Sequence, residues 1–122
     1  MSAYHQIFNQ QVEVVKPSLV ESPYSDQLIK DWDNPSFSEV EFPVSVQPAG
    51  VSEGEVERPQ TIRSFRMITP PGTDISDLDA SHKIRLGGVL LMDVAAPPER
   101  WPDPYNPGQV HHLEVLLEVV RG

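Results

Sequence analysis

Apolar and polar positions alternate with a period of two along several short stretches of the chain, and no apolar pattern of helical period runs far. Over residues 37–46, Val40, Phe42, Val44 and Val46 fall on one face, with Glu39, Glu41, Pro43 and Ser45 on the other. That pattern marks a half-buried strand, and Pro43 on its outward face suits a sheet edge. Residues 61–69 repeat it, with Ile62, Phe65, Met67 and Ile68 apolar and Arg63 and Arg66 polar. Residues 110–120 do so through Val110, Leu113, Val115, Leu117 and Val119. A first strand is predicted over 11–16 (Val12, Val14, Val15), closed by Pro17. Residues 83–86 and 89–94 flank Gly87-Gly88 and predict a hairpin, because two glycines accept the positive φ of a primed turn.

The intervening segments lack this alternation. Residues 1–10 are a polar arm, and 18–35, with two prolines and the turn-like Asp31-Trp32-Asp33-Asn34-Pro35, predict a long connection. Residues 47–60 predict a loop of about 14 residues, a length usually functional or disordered in a compact domain. Pro70-Pro71-Gly72-Thr73-Asp74 predicts a sharp turn, 77–81 a helical turn, and 95–109 a second long loop with five prolines and Trp101.

Proline sharpens this picture. It occupies 13 of 122 positions, so hardly 30 residues pass without one and long helices are excluded almost everywhere. Six predicted strands over residues 11–122 make one all-β domain, a small β-barrel or sandwich with long Pro-rich loops and little helix.

Charge and chemistry narrow the function. There are 9 Lys+Arg against 18 Asp+Glu, a formal net charge of −9, which argues against gripping nucleic acid by its phosphates. Residues 1–57 hold 10 acids against Lys16 and Lys30, so the acidic surface belongs mainly to the first half. Cysteine is absent, removing disulfides, thiol nucleophiles and thiolate metal sites. No signal peptide or membrane-length apolar run is legible, and the chain is expected to be soluble and intracellular. No Ser stands in a G-x-S-x-G turn, and no P-loop or dinucleotide fingerprint is present. His111 and His112 are expected on opposite faces of a strand, unable to chelate together. Asp74, Asp77 and Asp79 fail calcium-loop spacing and are expected to cap turns. The expectation is a non-enzymatic protein with no cofactor and no metal. Trp101 is read either as a lid on the core or as a subunit anchor.

Read in order, several elements resemble the head-to-tail stopper, or head-completion, proteins of long-tailed phages, above all those of actinobacterial hosts. They are Val14-Val15-Lys16-Pro17, Asp31-Trp32, Val46-Gln47-Pro48 with Ser52-Glu53, and Pro70-Pro71-Gly72-Thr73-Asp74-Ile75. The hairpin over 83–93 follows, then Pro98-Glu99-Arg100-Trp101-Pro102-Asp103-Pro104-Tyr105 with Gly108, and the final strand ending in Val-Val-Arg-Gly. The likeness spans about residues 11–122; the P-P-G-T-D and W-x-D-P elements are short, and their joint order is what makes it specific. Ser81-His82 stands where the family often carries an acidic residue, and the N-terminal arm is longer than the family pattern.

The resemblance implies a ring in the virion neck, a dodecamer matching the portal stack and assembled in the host cytoplasm. Its partners would be further copies of itself, the portal-adaptor protein of the head, and the tail-terminator or tail-tube proteins. Genomic DNA would pass through without tight, sequence-specific binding. The channel or gate loop maps to residues 49–58 (Ala49, Gly50, Ser52, Glu53, Gly54, Glu55, Glu57 and Arg58), and Trp101 and Tyr105 to a subunit or neck interface. Twelve copies would bring roughly 36 loop carboxylates near the conduit, a field that resists DNA sticking. The competing readings are another neck connector, such as a tail-completion protein, and a small acidic β-barrel that binds a ligand or calcium.

Overall fold

The computed structural model describes residues 7–24, 26–53 and 61–121. Its eight described strands are β1 (Val12–Glu21), β2 (Leu28–Glu39), β3 (Ser45–Glu53), β4 (Thr61–Ile68), β5 (Lys83–Leu86), β6 (Leu90–Val94), β7 (Glu99–Pro102) and β8 (Val110–Arg121). They form one antiparallel sheet in the order β2-β1-β5-β6-β8-β4-β3, with β7 added alongside β8. The all-β expectation holds, with eight strands in place of six and an open sheet in place of a closed barrel. The sheet does curl. Gln10, just before β1, bridges Val44, just before β3, through Gln10 N–Val44 O (3.0 Å) and Val44 N–Gln10 O (2.8 Å). The Gln10 side chain adds a third tie by accepting from the Val46 amide at 2.7 Å.

Alternation built the core where one face is covered. Val12 and Val14 of β1, Met67 of β4, Ile84 of β5, Met92 and Val94 of β6 and Leu113, Val115 and Leu117 of β8 are all buried together. Val40, Phe42, Val44 and Val46 turn inward as predicted, Phe42 only partly buried. They do not form one strand, however. β2 ends at Glu39, and 40–44 carry the chain across to β3. Ile75 and Leu78, from the connection between β4 and β5, enter the same core.

Three predicted loops are strand in part: in two of them the ladder runs past a proline, and in the third a short strand fits between Pro98 and Pro102. Strand β1 continues beyond Pro17, and the 18–35 connection contains most of β2. The register jumps from Lys16↔Ser36 to Ser18↔Asp31, so residues 32–35 bulge out of the ladder opposite Pro17. Neither Pro17 nor Pro35 has an amide to donate, which makes this the cheapest place for the break. The 95–109 loop contains β7, and 47–53 of the predicted 47–60 loop belong to β3. The predicted helical turn at 77–81 is a pair of tight turns, closed by Leu78 N–Ile75 O (3.1 Å) and His82 N–Asp79 O (3.2 Å).

The topology sends two hairpins in opposite directions. Five antiparallel steps separate β1 from β3 along the sheet, so the two strands run oppositely, as their antiparallel bridge at Gln10 and Val44 requires. Both start beside that bridge. The far ends of the β1–β2 and β3–β4 strand pairs therefore lie at opposite ends of the sheet.

Candidate functional site

The segment assigned to a channel loop is the far end of the β3–β4 hairpin. Pro48 pairs with Phe65 and Gly50 with Ser64, leaving Ala49 as the extra residue of a β-bulge. Gly50 has φ +149°, a conformation that L side chains rarely adopt. Ala49 and Gly50 thus redirect the hairpin rather than cap it. Ser52 and Glu53 pair with Ile62 and Thr61, and β8 runs alongside as far as Arg121↔Thr61, so the tongue is three-stranded. Gly54, Glu55, Glu57 and Arg58 lie outside the described residues.

Trp101 is not a core lid. The residue is 46% exposed, and its ring stacks on His112 at 5.8 Å between centroids and 5° between planes. It begins a continuous row across β7, β8 and β4: His112 Nε2 lies 3.1 Å from Glu114 Oε2, and Arg66 donates to Glu114 Oε1 at 3.4 Å. The two adjacent histidines are also not on opposite faces. Trp101 pairs with His112 and Pro102 with Val110, so His111 is the bulged residue, opposite a proline that cannot donate. The bulge swings its ring round until the two Nδ1 atoms are 2.8 Å apart. At that distance one ring must donate and the other accept. Among the described residues no hydroxyl is hydrogen-bonded to either ring. Tyr105 is 90% exposed, held outward by a turn in which Asp103 accepts from the Tyr105 amide at 2.8 Å. That amide, with Asn106 and the nearby His111, holds the Asp103 carboxyl below its ordinary value.

The aspartates of the β4–β5 connection go to separate partners. Asp77 pairs with Lys16, which lowers its pKa, and Asp79 accepts from the Ser81 hydroxyl and amide, which lowers its own. Asp74 pairs with Arg100 Nε at 3.5 Å. Arg100 also donates to the carbonyls of Ile75 (3.0 Å), Ser76 (3.3 Å) and Leu78 (3.2 Å), pinning both core residues of that connection to β7. Sequence reasoning left Arg100 without a role, since an arginine that ties down a loop carries no local signature.

A second cluster lies on the outer sheet face. Val15 is only 1% exposed yet stands outside the main core, between Phe37 on β2 and Lys83 on β5. The Lys83 ammonium sits 4.4 Å from the centroid of Trp32, which the β2 bulge brings there, and the Arg85 guanidinium 3.9 Å from that of Phe37. Arg85 also binds Glu13 with two nitrogens at 2.8–3.1 Å, and Lys83 pairs with Asp93 at 3.6 Å. Among the described residues Lys16, Arg66, Lys83, Arg85 and Arg100 are thus all engaged by carboxylates. The charge left for solvent and partners is mostly carboxylate.

Comparison with family models, with curated proteins and with solved structures finds no match.

Proposed function

We propose that the chain is a structural protein of a phage neck, a head-to-tail stopper that closes the DNA channel after packaging and offers the docking surface for the tail. The observation that carries this reading is the pair of hairpins leaving the all-β body in opposite directions, since a connector must engage different structures at its two ends. The surface electrostatics agree. With most described cations consumed by internal ion pairs, a conduit lined by copies of this chain repels DNA instead of holding it. The β3–β4 tongue, bent by its bulge and leading into the acidic 54–60 segment, is the element proposed to reach the channel. The body half of β2, residues 36–39, and β3 are different edges of the sheet, so joining them between copies makes a head-to-tail contact that can close as a ring and leaves the far half of β2 uncovered. Its other partners are the portal-adaptor protein above and the tail proteins below, in a virion assembled in the host cytoplasm.

The test is electron microscopy of lysates from a phage in which this reading frame is interrupted. Emptied or DNA-leaking heads beside finished, unattached tails are expected. Normal virions would overturn the reading.

A further inference from the structure

The far half of the β1–β2 ribbon is a built element that no other described strand covers. Beyond Val15↔Lys83, β1 pairs with β2 alone, so residues 18–21 and 28–31 form a free-standing two-stranded ribbon. Its register places Val20 opposite Ile29 on one face and puts Leu19 and Leu28 together on the other, with Lys30 and Glu21 as their cross-strand partners. Leu19 is 61% and Leu28 56% exposed, Val20 and Ile29 are exposed on the reverse side, and Tyr24 projects from the turn. A lone two-stranded ribbon is marginal in water, and apolar side chains on both faces find no cover in it.

The ribbon is nevertheless braced. Ser22 N bonds Gln27 O at 3.2 Å across the turn, and the Ser22 hydroxyl accepts from the Tyr24 amide at 3.2 Å. At its base the Ser18 hydroxyl donates to the Asn34 carbonyl. Asp31 there accepts from the Asp33 amide (2.9 Å) and from Asn34 Nδ2 (3.1 Å). Such bracing holds the apolar side chains in place before any partner arrives.

Charge decides the partner. Glu21 and Asp26 lie at the apolar tip and Asp31 and Asp33 at the base, with Lys30 the one cation along the ribbon. Stacking ribbon on ribbon would bring these carboxylates together. The rest of a chain of net charge −9 offers little relief, and an anionic lipid surface would repel them as well. We infer that the ribbon inserts its two apolar faces into a cleft of a different protein, one whose rim is lined by Lys and Arg. This stands apart from the neck assignment, for it asks only for a polypeptide partner with that chemistry.

The experiment places p-benzoylphenylalanine at position 28, and at the exposed Val89 turn as a control, in cells producing the full chain in its native setting. Irradiation is followed by mass spectrometry of the adducts. The expected result is one foreign protein cross-linked through position 28 and not 89, the linked peptide lying beside basic residues. Its yield should fall at least fivefold in Glu21→Lys/Asp26→Lys and again in Leu19→Ser/Ile29→Ser, both with melting curves like that of the parent. An adduct to a second copy, an adduct to lipid, no adduct, or a yield indifferent to the charge reversal would each overturn the inference. A basic-rimmed partner that belongs to no virion would leave the docking inference standing and remove the neck reading. Leaking heads on interruption of the frame, with no adduct at position 28, would do the reverse.

Discussion

Two hairpins of this protein are built alike and live differently. Strands β5 and β6 meet across Gly87-Gly88, whose φ values of +61° and +74° and whose Val89 N–Leu86 O bond (3.1 Å) make the primed turn. Their inward residues Ile84, Met92 and Val94 are buried while Leu91 and Asp93 look out. The far half of β1–β2 has the same antiparallel pairing and no such division, because neither of its faces meets the core. Alternation in a sequence records one-sided burial, not strand formation itself. A strand exposed on both faces is therefore invisible to it, and so is one whose ladder is interrupted by a proline bulge.

The contrast can be broken most sharply by truncating one apolar side chain in each hairpin. Met92→Ala should cost about 2–5 kcal/mol, since it empties a site in the packed core. Leu28→Ser should stay within about 0.5 kcal/mol, because its side chain already faces water in the isolated chain. Urea denaturation of the two variants measures both, and equal costs would mean that the ribbon is folded onto the body. Arg100→Ala comes next. Removing a charged donor from three loop carbonyls and Asp74 should cost about 1.5–3 kcal/mol. Amide exchange should quicken around Ile75 and Leu78 first, and unchanged protection there would deny Arg100 its role as the pin.

The smallest effect is in acid. Asp77 and Asp79 titrate below the ordinary carboxyl value of 3.8, Asp77 through Lys16 and Asp79 through Ser81. Their contribution is fully present above 3.8 and is lost as pH falls through the lower folded values, because the unfolded chain takes up protons first. Both groups are exposed, so the slope should be shallow and should weaken further with salt. Melting temperature followed from pH 5 to pH 2, with Asp77→Asn as the flattened control, tests this.

Much of the β-sheet was legible, and for a physical reason. Strands β4, β6 and β8 each present one face to the core, and the β5–β6 turn needs two residues that tolerate positive φ. The candidate interface was less so. Trp101 and Tyr105 stood out as aromatics in a proline-rich stretch, but the stacking of Trp101 on His112 depends on a bulge that pairing with β7 creates. The expectation that His111 and His112 diverge assumed a regular strand, and the proline opposite them removed that assumption.

The sequence by itself determined an all-β chain with an acidic surface, because proline forbids helices and unbalanced charge must end on the outside. Tertiary structure alone decided which strands run past their prolines. It also decided which cations are spent on internal carboxylates, and that the two hairpins leave in opposite directions. Those outcomes rest on pairing between residues far apart in the chain, such as Gln10 with Val44 and Glu13 with Arg85, and no local pattern encodes such a partner.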